Sequence, residues 1–308
     1  MTLKKILQMK KYQFLAAIAP TAALTLSLLS NPTWAADPFR TANRHPIGDR
    51  TEAAFKAVFQ DGNYTAAQDY LKQAETSEPN EPLAYAMQAS LAYGSNKDLT
   101  SFNLYGNKTL ETAKQLISTD PLRGNLYTAV GYFFQGASVL ARDGTVKGAP
   151  EALTKLRLVY EYLDKAQSVS ANDPEINLIR GYMDLMLAVN LPFSSPDQAI
   201  ERLEKLAAPK YLADRGLAIG YRDLEQYSDA LAAVNRAIEA TPNNPELFYL
   251  KAQILAEQSK AQNNVSILKE SLQNFDKVIA KKAQLLPNLV KQIERERGKA
   301  VSRLTNPR

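Results

Sequence analysis

The sequence predicts an all-α protein built from repeated helix hairpins, and three observations lead to this fold class. Ala, Leu, Glu, Lys and Gln, which favour helices, dominate the chain after its first 35 residues. Sustained apolar/polar alternation, which is typical of strands, does not occur. Apolar residues instead recur at helical spacing, and Pro with short polar clusters interrupts them at intervals of one helix hairpin.

The first 35 residues predict a secretory signal peptide. Residues 1–11 carry four Lys and no acid, residues 14–29 are largely apolar, and Thr33-Trp34-Ala35 places small residues before a cleavage position after Ala35. We therefore expect a periplasmic or otherwise extracytoplasmic location. The alternative is a retained N-terminal membrane anchor, because the apolar stretch is close to the ~17–25 residues that span a bilayer.

The net charge changes once this segment is removed. The full chain has 37 basic and 32 acidic residues, a formal charge of +5, which on its own suggests a nucleic-acid partner. Four of the Lys belong to the signal peptide, so the mature chain is nearly neutral and we expect no nucleic-acid partner. A basic excess remains in residues 277–308, where an acidic partner is a further interpretation.

The residue types exclude most catalytic and metal chemistry. The chain has no Cys and one His, His45, in a polar segment before the first predicted helix. Thiol catalysis and His-rich or Cys-ligated metal sites are therefore excluded, and we expect no enzyme activity, cofactor or metal. Asp184 is the acid that stands in an apolar stretch, and Arg180, one helical turn earlier, predicts a structural ion pair.

One repeat unit is clearest in residues 211–242. Its first helix carries Ala218 and Tyr221, its second carries Ala230 and Ala237 at helical spacing, and Pro242 follows. Ala252 repeats Ala218 after 34 residues. This pattern resembles the tetratricopeptide repeat (TPR), whose period is 34 residues and whose small residues let two helices pack closely.

Partial copies of the unit extend the resemblance over roughly residues 50–285. The predicted organisation is a signal peptide at 1–35, a flexible lead-in at 36–50, a repeat domain at 51–286 and a capping helix with a basic tail at 287–308. The third unit is unusually long, with helices expected at 123–143 and 150–170 and a loop at 144–149. The resemblance implies a right-handed TPR-like α-solenoid of about six helix hairpins.

The resemblance also implies a function. TPR superhelices bind peptides or proteins in a concave groove, so we expect a non-enzymatic exported scaffold with a protein or peptide partner. The groove would be lined by Tyr, Arg, Gln and Asn side chains, types that suit interfaces: Asn125, Tyr132, Gln135, Tyr182, Arg215, Arg222, Tyr249 and Gln253.

Two other functions remain open from the sequence. An enzyme acting on cell-wall glycan or peptide would need a cleft with two carboxylates about 5–10 Å apart. A self-assembling envelope component would need an exposed apolar patch, expected on the long third hairpin around residues 160–163.

Signal cleavage makes a direct prediction, because Trp34 is the only Trp of the chain. If the signal peptide is removed after Ala35, the exported protein contains Tyr but no Trp. The fluorescence of protein purified from the extracytoplasmic fraction should then lack tryptophan emission. Trp emission from that fraction would contradict the cleavage and favour the retained anchor.

Overall fold

A computed structural model describes residues 37–190 and 195–305, so the predicted signal peptide lies outside the described residues. Within these two ranges the chain forms twelve α-helices and one 3-10 turn, and no strand. We number the helices in chain order: α1 Asp49–Phe59, α2 Tyr64–Ser77, α3 Pro82–Asn96, α4 Leu99–Leu116, α5 Pro121–Val169, α6 Pro174–Asn190, α7 Asp197–Lys205, α8 Lys210–Asp223, α9 Tyr227–Ala240, α10 Pro245–Gln262, α11 Val265–Ile279 and α12 Pro287–Thr305.

The helices form six hairpins followed by a single terminal helix, as predicted. Five hairpins pair consecutive helices: α1 with α2, α3 with α4, α6 with α7, α8 with α9, and α10 with α11. The two halves of α5 form the remaining hairpin, and α12 packs against α11 at the end. The all-α TPR-like solenoid is therefore confirmed.

The long third hairpin differs from the expected loop at residues 144–149. Helical structure continues through this stretch, and only Gly144 leaves the helical region, with φ +77° and ψ 169°. A side chain is disfavoured at that φ, so glycine lets the chain turn back at a single residue. The turn brings Gly148 against Val139 and Gly136 against Lys155, which packs the two halves of α5 together.

Small residues on the first helix of a hairpin permit close packing, as the repeat pattern implies. A Cβ atom at Gly181 on α6 would lie 2.7 Å from the side chain of Leu203 on α7. A Cβ atom at Gly131 on α5 would lie 2.7 Å from Cβ and 2.8 Å from Cα of Leu110. Leu110 belongs to α4, so Gly131 serves the contact with the preceding hairpin rather than the contact within its own.

Polar residues just before the helices explain where several of them begin. Asn63, Asp98, Asp120 and Asn264 each accept a hydrogen bond from a backbone N–H in the first turn of the following helix. Such N-caps satisfy donors that have no partner inside the helix. Local hydrogen bonds thus fix where these four helices begin.

The last elements of the superhelix contact the first ones. α12 contacts α3, and the 3-10 turn Lys282–Gln284 contacts α2. The turn between α1 and α2 reaches the start of α10, where the Tyr64 hydroxyl donates to Glu246 and the Asn244 amide donates to the Phe59 carbonyl at 3.4 Å. The first hairpin therefore contacts both its neighbour and the sixth hairpin.

The segment 36–50 was expected to be a flexible lead-in, but its described part, residues 37–50, packs against the repeats. Its first described residue, Asp37, is buried, as are Phe39, Arg40 and Ile47. The Phe39 ring meets Phe55 of α1 edge-on, with centroids 5.0 Å apart. Helix α1 already begins at Asp49, so the ordered domain starts before the predicted boundary.

The two glycines Gly131 and Gly298 allow a matched test of the packing. Gly131→Ala should lower the free energy of unfolding by about 1–3 kcal/mol, because the new Cβ meets the backbone of Leu110, which cannot move aside cheaply. Gly298→Ala, in the middle of α12 with open space around it, should raise stability by about 0.5–1 kcal/mol. Urea denaturation measures both; equal stabilisation by the two substitutions would contradict the close contact.

Candidate functional site

The eight residues predicted to line the groove lie on the first helices of the third to sixth hairpins. Asn125, Tyr132 and Gln135 are on the first half of α5, and Tyr182 is on α6. The remaining four are on two later helices: Arg215 and Arg222 on α8, and Tyr249 and Gln253 on α10. We call the surface formed by these helices the inner surface. Its two ends differ sharply in accessibility.

At the α8–α10 end, the terminal helix covers the predicted residues. The Arg222 guanidinium is only 1% exposed and donates to the Gln253 amide oxygen at 3.0 Å. The Gln253 amide nitrogen and the Tyr249 hydroxyl both donate to Glu296 of α12, at 2.9 and 2.8 Å. Burial and the neighbouring Glu296 raise the pKa of Tyr249 above its ordinary value. A partner reaches these side chains only if α12 moves.

Arg215 and Tyr182 also contact the chain itself. The Arg215 guanidinium donates to Glu246 at 2.9 Å, and the same carboxylate accepts from the Tyr64 hydroxyl of the first hairpin. The Tyr182 hydroxyl donates to the Leu212 carbonyl at 2.6 Å, and burial raises the pKa of Tyr182 to about 12. Both predicted groove residues therefore hold hairpins together.

Asn125 is buried near the start of α5. Its amide nitrogen donates to the Pro121 carbonyl at 2.6 Å. This contact lies within the first turn of the same helix, so it orients the side chain locally.

Tyr132 and Gln135 remain partly exposed and meet residues that the repeat pattern does not single out. The Tyr132 and Tyr162 rings lie 5.6 Å apart on the two halves of α5. The ammonium groups of Lys114 and Lys155 lie 5.2 and 5.8 Å from the Tyr132 ring centroid, and that of Lys165 lies 4.1 Å from the Tyr162 centroid. We call these two tyrosines and three lysines the tyrosine–lysine patch.

Gln135 extends this patch through hydrogen bonds. The Lys155 ammonium donates to its amide oxygen at 3.0 Å, and its amide nitrogen donates to Asn107 of α4 at 3.0 Å. Lys165 also pairs with Glu161 at 2.6 Å, which offsets part of the local positive charge. The lysines were missed in the sequence because Lys114 lies on α4 while Lys155 and Lys165 lie beyond the Gly144 turn of α5. Only the packing of the first half of α5 against α4 and against its own second half brings Lys114 and Lys155 to Tyr132.

The ion pair predicted for Asp184 is present. Its carboxylate lies 3.7 Å from Arg180 and 3.9 Å from Arg202, and it accepts a hydrogen bond from the Tyr160 hydroxyl at 2.7 Å. This acid therefore has several structural partners. The apolar patch expected around residues 160–163 is not exposed, because Leu163 is fully buried; the exposed apolar side chains of this hairpin are those of Val146, Leu153 and Val169.

His45 lies in the lead-in beside an open cleft of about 670 Å³. Its Nδ1 contacts the Asp120 carboxylate. Burial raises the pKa of Asp120, but hydrogen bonds from His45 and the Arg123 backbone outweigh it and lower that pKa overall. The two other acids lining the cleft are also engaged: Glu78 accepts from the start of α1, and Glu81 pairs with Arg123 at 2.6 Å.

Membrane-spanning helices and metal-binding clusters are both absent from the described ranges, 37–190 and 195–305. No helix there is both long enough and apolar enough to cross a membrane. No group of three or more His, Cys, Asp or Glu side chains there is arranged to hold a metal ion.

Six helix hairpins with small residues at their contacts define a helical repeat protein. Comparison with known proteins indicates which kind of repeat it is similar to. The tetratricopeptide repeat family model matches residues 215–278, which include Ala218 and Ala252, the two positions 34 residues apart. Human tetratricopeptide repeat protein 7A is 25% identical over 193 residues, covering 63% of this chain and 21% of the human protein. The chain spans about a fifth of that relative. Both comparisons show a similarity to tetratricopeptide repeat proteins.

Arg215 and Gln135 provide a test of which predicted groove residues hold the fold. Arg215→Met should lower the free energy of unfolding by about 3–5 kcal/mol, because it removes the cation from the buried Glu246 carboxylate. Gln135→Met, on the accessible part of the surface, should change it by less than about 0.5 kcal/mol. Chemical denaturation measures both values. Comparable small effects would mean that Arg215 is available for binding.

Proposed function

We propose that this protein is an exported, non-enzymatic scaffold that binds an acidic segment of a protein partner through the tyrosine–lysine patch. Tetratricopeptide repeats suggest a protein-interaction scaffold, and both comparisons support that class. Export rests on the predicted signal peptide. The partner chemistry rests on one observation: three lysine ammonium groups lie over two adjacent, partly exposed tyrosine rings of the third hairpin.

The composition of the patch suits a carboxylate-bearing peptide. Tyrosine offers a rigid apolar face with a polar end, and lysine offers a charge that pairs with Asp or Glu across an interface. A lysine held over a ring is already oriented, so less side-chain freedom is lost on binding. The remaining predicted groove residues serve the fold, which concentrates the proposal on Tyr132 and Gln135.

The basic terminal helix is a second place for the same chemistry. Lys291, Arg295 and Lys299 are exposed on α12. On the side facing α11, Arg297 already pairs with Asp276 at 2.7 Å. We rank this helix below the tyrosine–lysine patch because none of its three exposed cations lies over an aromatic ring of the described residues, and charge alone gives weak, salt-sensitive binding.

The test is affinity capture from an envelope extract with the immobilised mature protein. The triple variant Lys114→Gln, Tyr132→Ala, Lys155→Gln should lose at least about tenfold of the captured partner, because it removes both the charge and the aromatic anchor. Capture by the wild-type protein should also weaken as salt is raised.

A matched control removes the same number of lysine charges outside the tyrosine–lysine patch. Lys72 of α2 and Lys269 of α11 are exposed, and Lys72→Gln with Lys269→Gln should leave capture unchanged. Circular dichroism must show that all variants are folded. Equal capture by the triple variant and the control would contradict the assignment of the patch, and a loss confined to Lys291→Gln with Lys299→Gln would move the site to α12.

A further inference from the structure

Residues 37–48 of the lead-in carry an arginine, Arg40, whose guanidinium is enclosed by two carboxylates at the start of the fourth hairpin and one of the lead-in itself. Arg40 donates through Nε and Nη2 to both oxygens of Asp173, at 2.7 Å each. Its Nη2 also donates to Glu175 at 2.9 Å, and its Nη1 donates to Asp37 at 2.8 Å. A planar guanidinium that binds a carboxylate with two parallel hydrogen bonds is a specific form of recognition.

Two of the three carboxylates that bind Arg40, Asp173 and Glu175, are positioned by the repeats, and the third, Asp37, belongs to the lead-in itself. Asp173 precedes α6 and accepts from the backbone N–H groups of Glu175 and Ile176 at 3.1 and 3.0 Å. Glu175 is fully buried and accepts from the Tyr127 hydroxyl at 2.5 Å. We call Asp173 and Glu175 the acidic socket. Donors from the repeats therefore orient both carboxylates in addition to Arg40.

A second arginine also neutralises part of the negative charge of the acidic socket. Arg123 lies 3.8 Å from Glu175 and forms two hydrogen bonds with Glu81, at 3.1 and 2.6 Å. Apart from the lead-in, this group has three carboxylates, Asp173, Glu175 and Glu81, and one cation. The excess negative charge favours one more guanidinium, and the partial pairing of Glu175 lowers the cost of leaving the socket empty.

The lead-in has the features of a bound peptide. Asp37 accepts from the backbone N–H groups of Phe39 and His45, at 2.9 and 3.0 Å, which folds the segment into a compact turn around Arg40. Phe39 adds an aromatic anchor against Phe55. Its later residues, among them Arg44 and His45, border the open cleft, so the segment lies next to free volume.

We propose that the acidic socket is a binding site for an arginine-bearing peptide with the pattern Asp-x-x-Arg, and that the lead-in is its resident ligand. The acidic socket shares no residue with the tyrosine–lysine patch, so binding at one site does not require binding at the other. A tethered ligand has an effective concentration on the order of millimolar, so it outcompetes a free peptide until it is displaced.

The experiment uses the full mature chain and a fluorescent synthetic peptide of residues 37–48, DPFRTANRHPIG. The chain variant Arg40→Gln weakens the resident segment and leaves the socket intact. Fluorescence anisotropy should then show the peptide binding this variant at least about tenfold more tightly than the wild-type chain, whose socket is occupied.

Three controls separate the socket from nonspecific attraction. A peptide with Arg40→Gln should not bind, and a peptide with Arg40→Lys should bind more weakly, because an ammonium cannot form the two parallel hydrogen bonds. Adding Asp173→Asn to the Arg40→Gln chain should abolish binding of the wild-type peptide.

Folding is checked by a second variant and a second measurement. If Arg40→Gln does not fold, Asp37→Asn loosens the lead-in while keeping Arg40 and the socket. The peptide should raise the Tm of a folded variant and leave the wild-type Tm unchanged. Equal binding to variant and wild-type chains, equal binding of the wild-type peptide and the Arg40→Gln peptide, or no binding to any folded variant would overturn the proposal.

Discussion

Buried arginines paired with carboxylates join separate elements of this superhelix. Arg40 of the lead-in pairs with Asp173 and Glu175, Arg123 of α5 pairs with Glu81, and Arg215 of α8 pairs with Glu246. A buried cation without a partner is strongly destabilising, so each pair restrains the two elements that supply it. Glu246 also contacts Tyr64, which joins the first hairpin to the sixth.

This connectivity changes what the inner surface is available to do. In an open array of repeats, each hairpin contacts its neighbours alone and the concave side is exposed along its length. Here the polar groups of Tyr249 and Gln253 donate hydrogen bonds to Glu296 of α12. The first hairpin contacts Glu246, which is also the partner of Arg215. We therefore propose partner binding at two places. One is the accessible surface around Tyr132, and the other is the acidic socket that Arg40 occupies.

The sequence predicts the parts of the fold that depend on local spacing. The interval from Ala218 to Ala252, the contact of Gly181 with Leu203 and the terminal helix all follow from helical periodicity within a hairpin. Periodicity carries no information about contacts between hairpins far apart in the chain. Arg40 and Asp173 are 133 positions apart, so their pairing, like the covering of Tyr249 by α12, emerges only from the superhelical path.

The candidate site shows the same division. The repeat pattern correctly places Tyr132 and Arg222 on first helices of hairpins, but it cannot distinguish a side chain that faces solvent from one that faces the chain's own last helix. Gly144 shows a further limit, since helical residues on both sides hide a reversal that one glycine produces. Side-chain burial at the inner surface depends on closure, which no local signal encodes.

The central claim is that long-range contacts of buried side chains, above all the Tyr64–Glu246 hydrogen bond and the Arg40–Asp173 ion pair, close the superhelix into one cooperative unit. Native-state hydrogen exchange tests it most directly, by comparing backbone amides of buried residues in α1, such as Ala54 and Val58, with those in α10, such as Ala252 and Ile254. Closure predicts equal opening free energies for the two sets, because the first and sixth hairpins unfold together. An opening free energy several kcal/mol lower in α1 than in α10 would show an open array that frays from its end and would contradict the account.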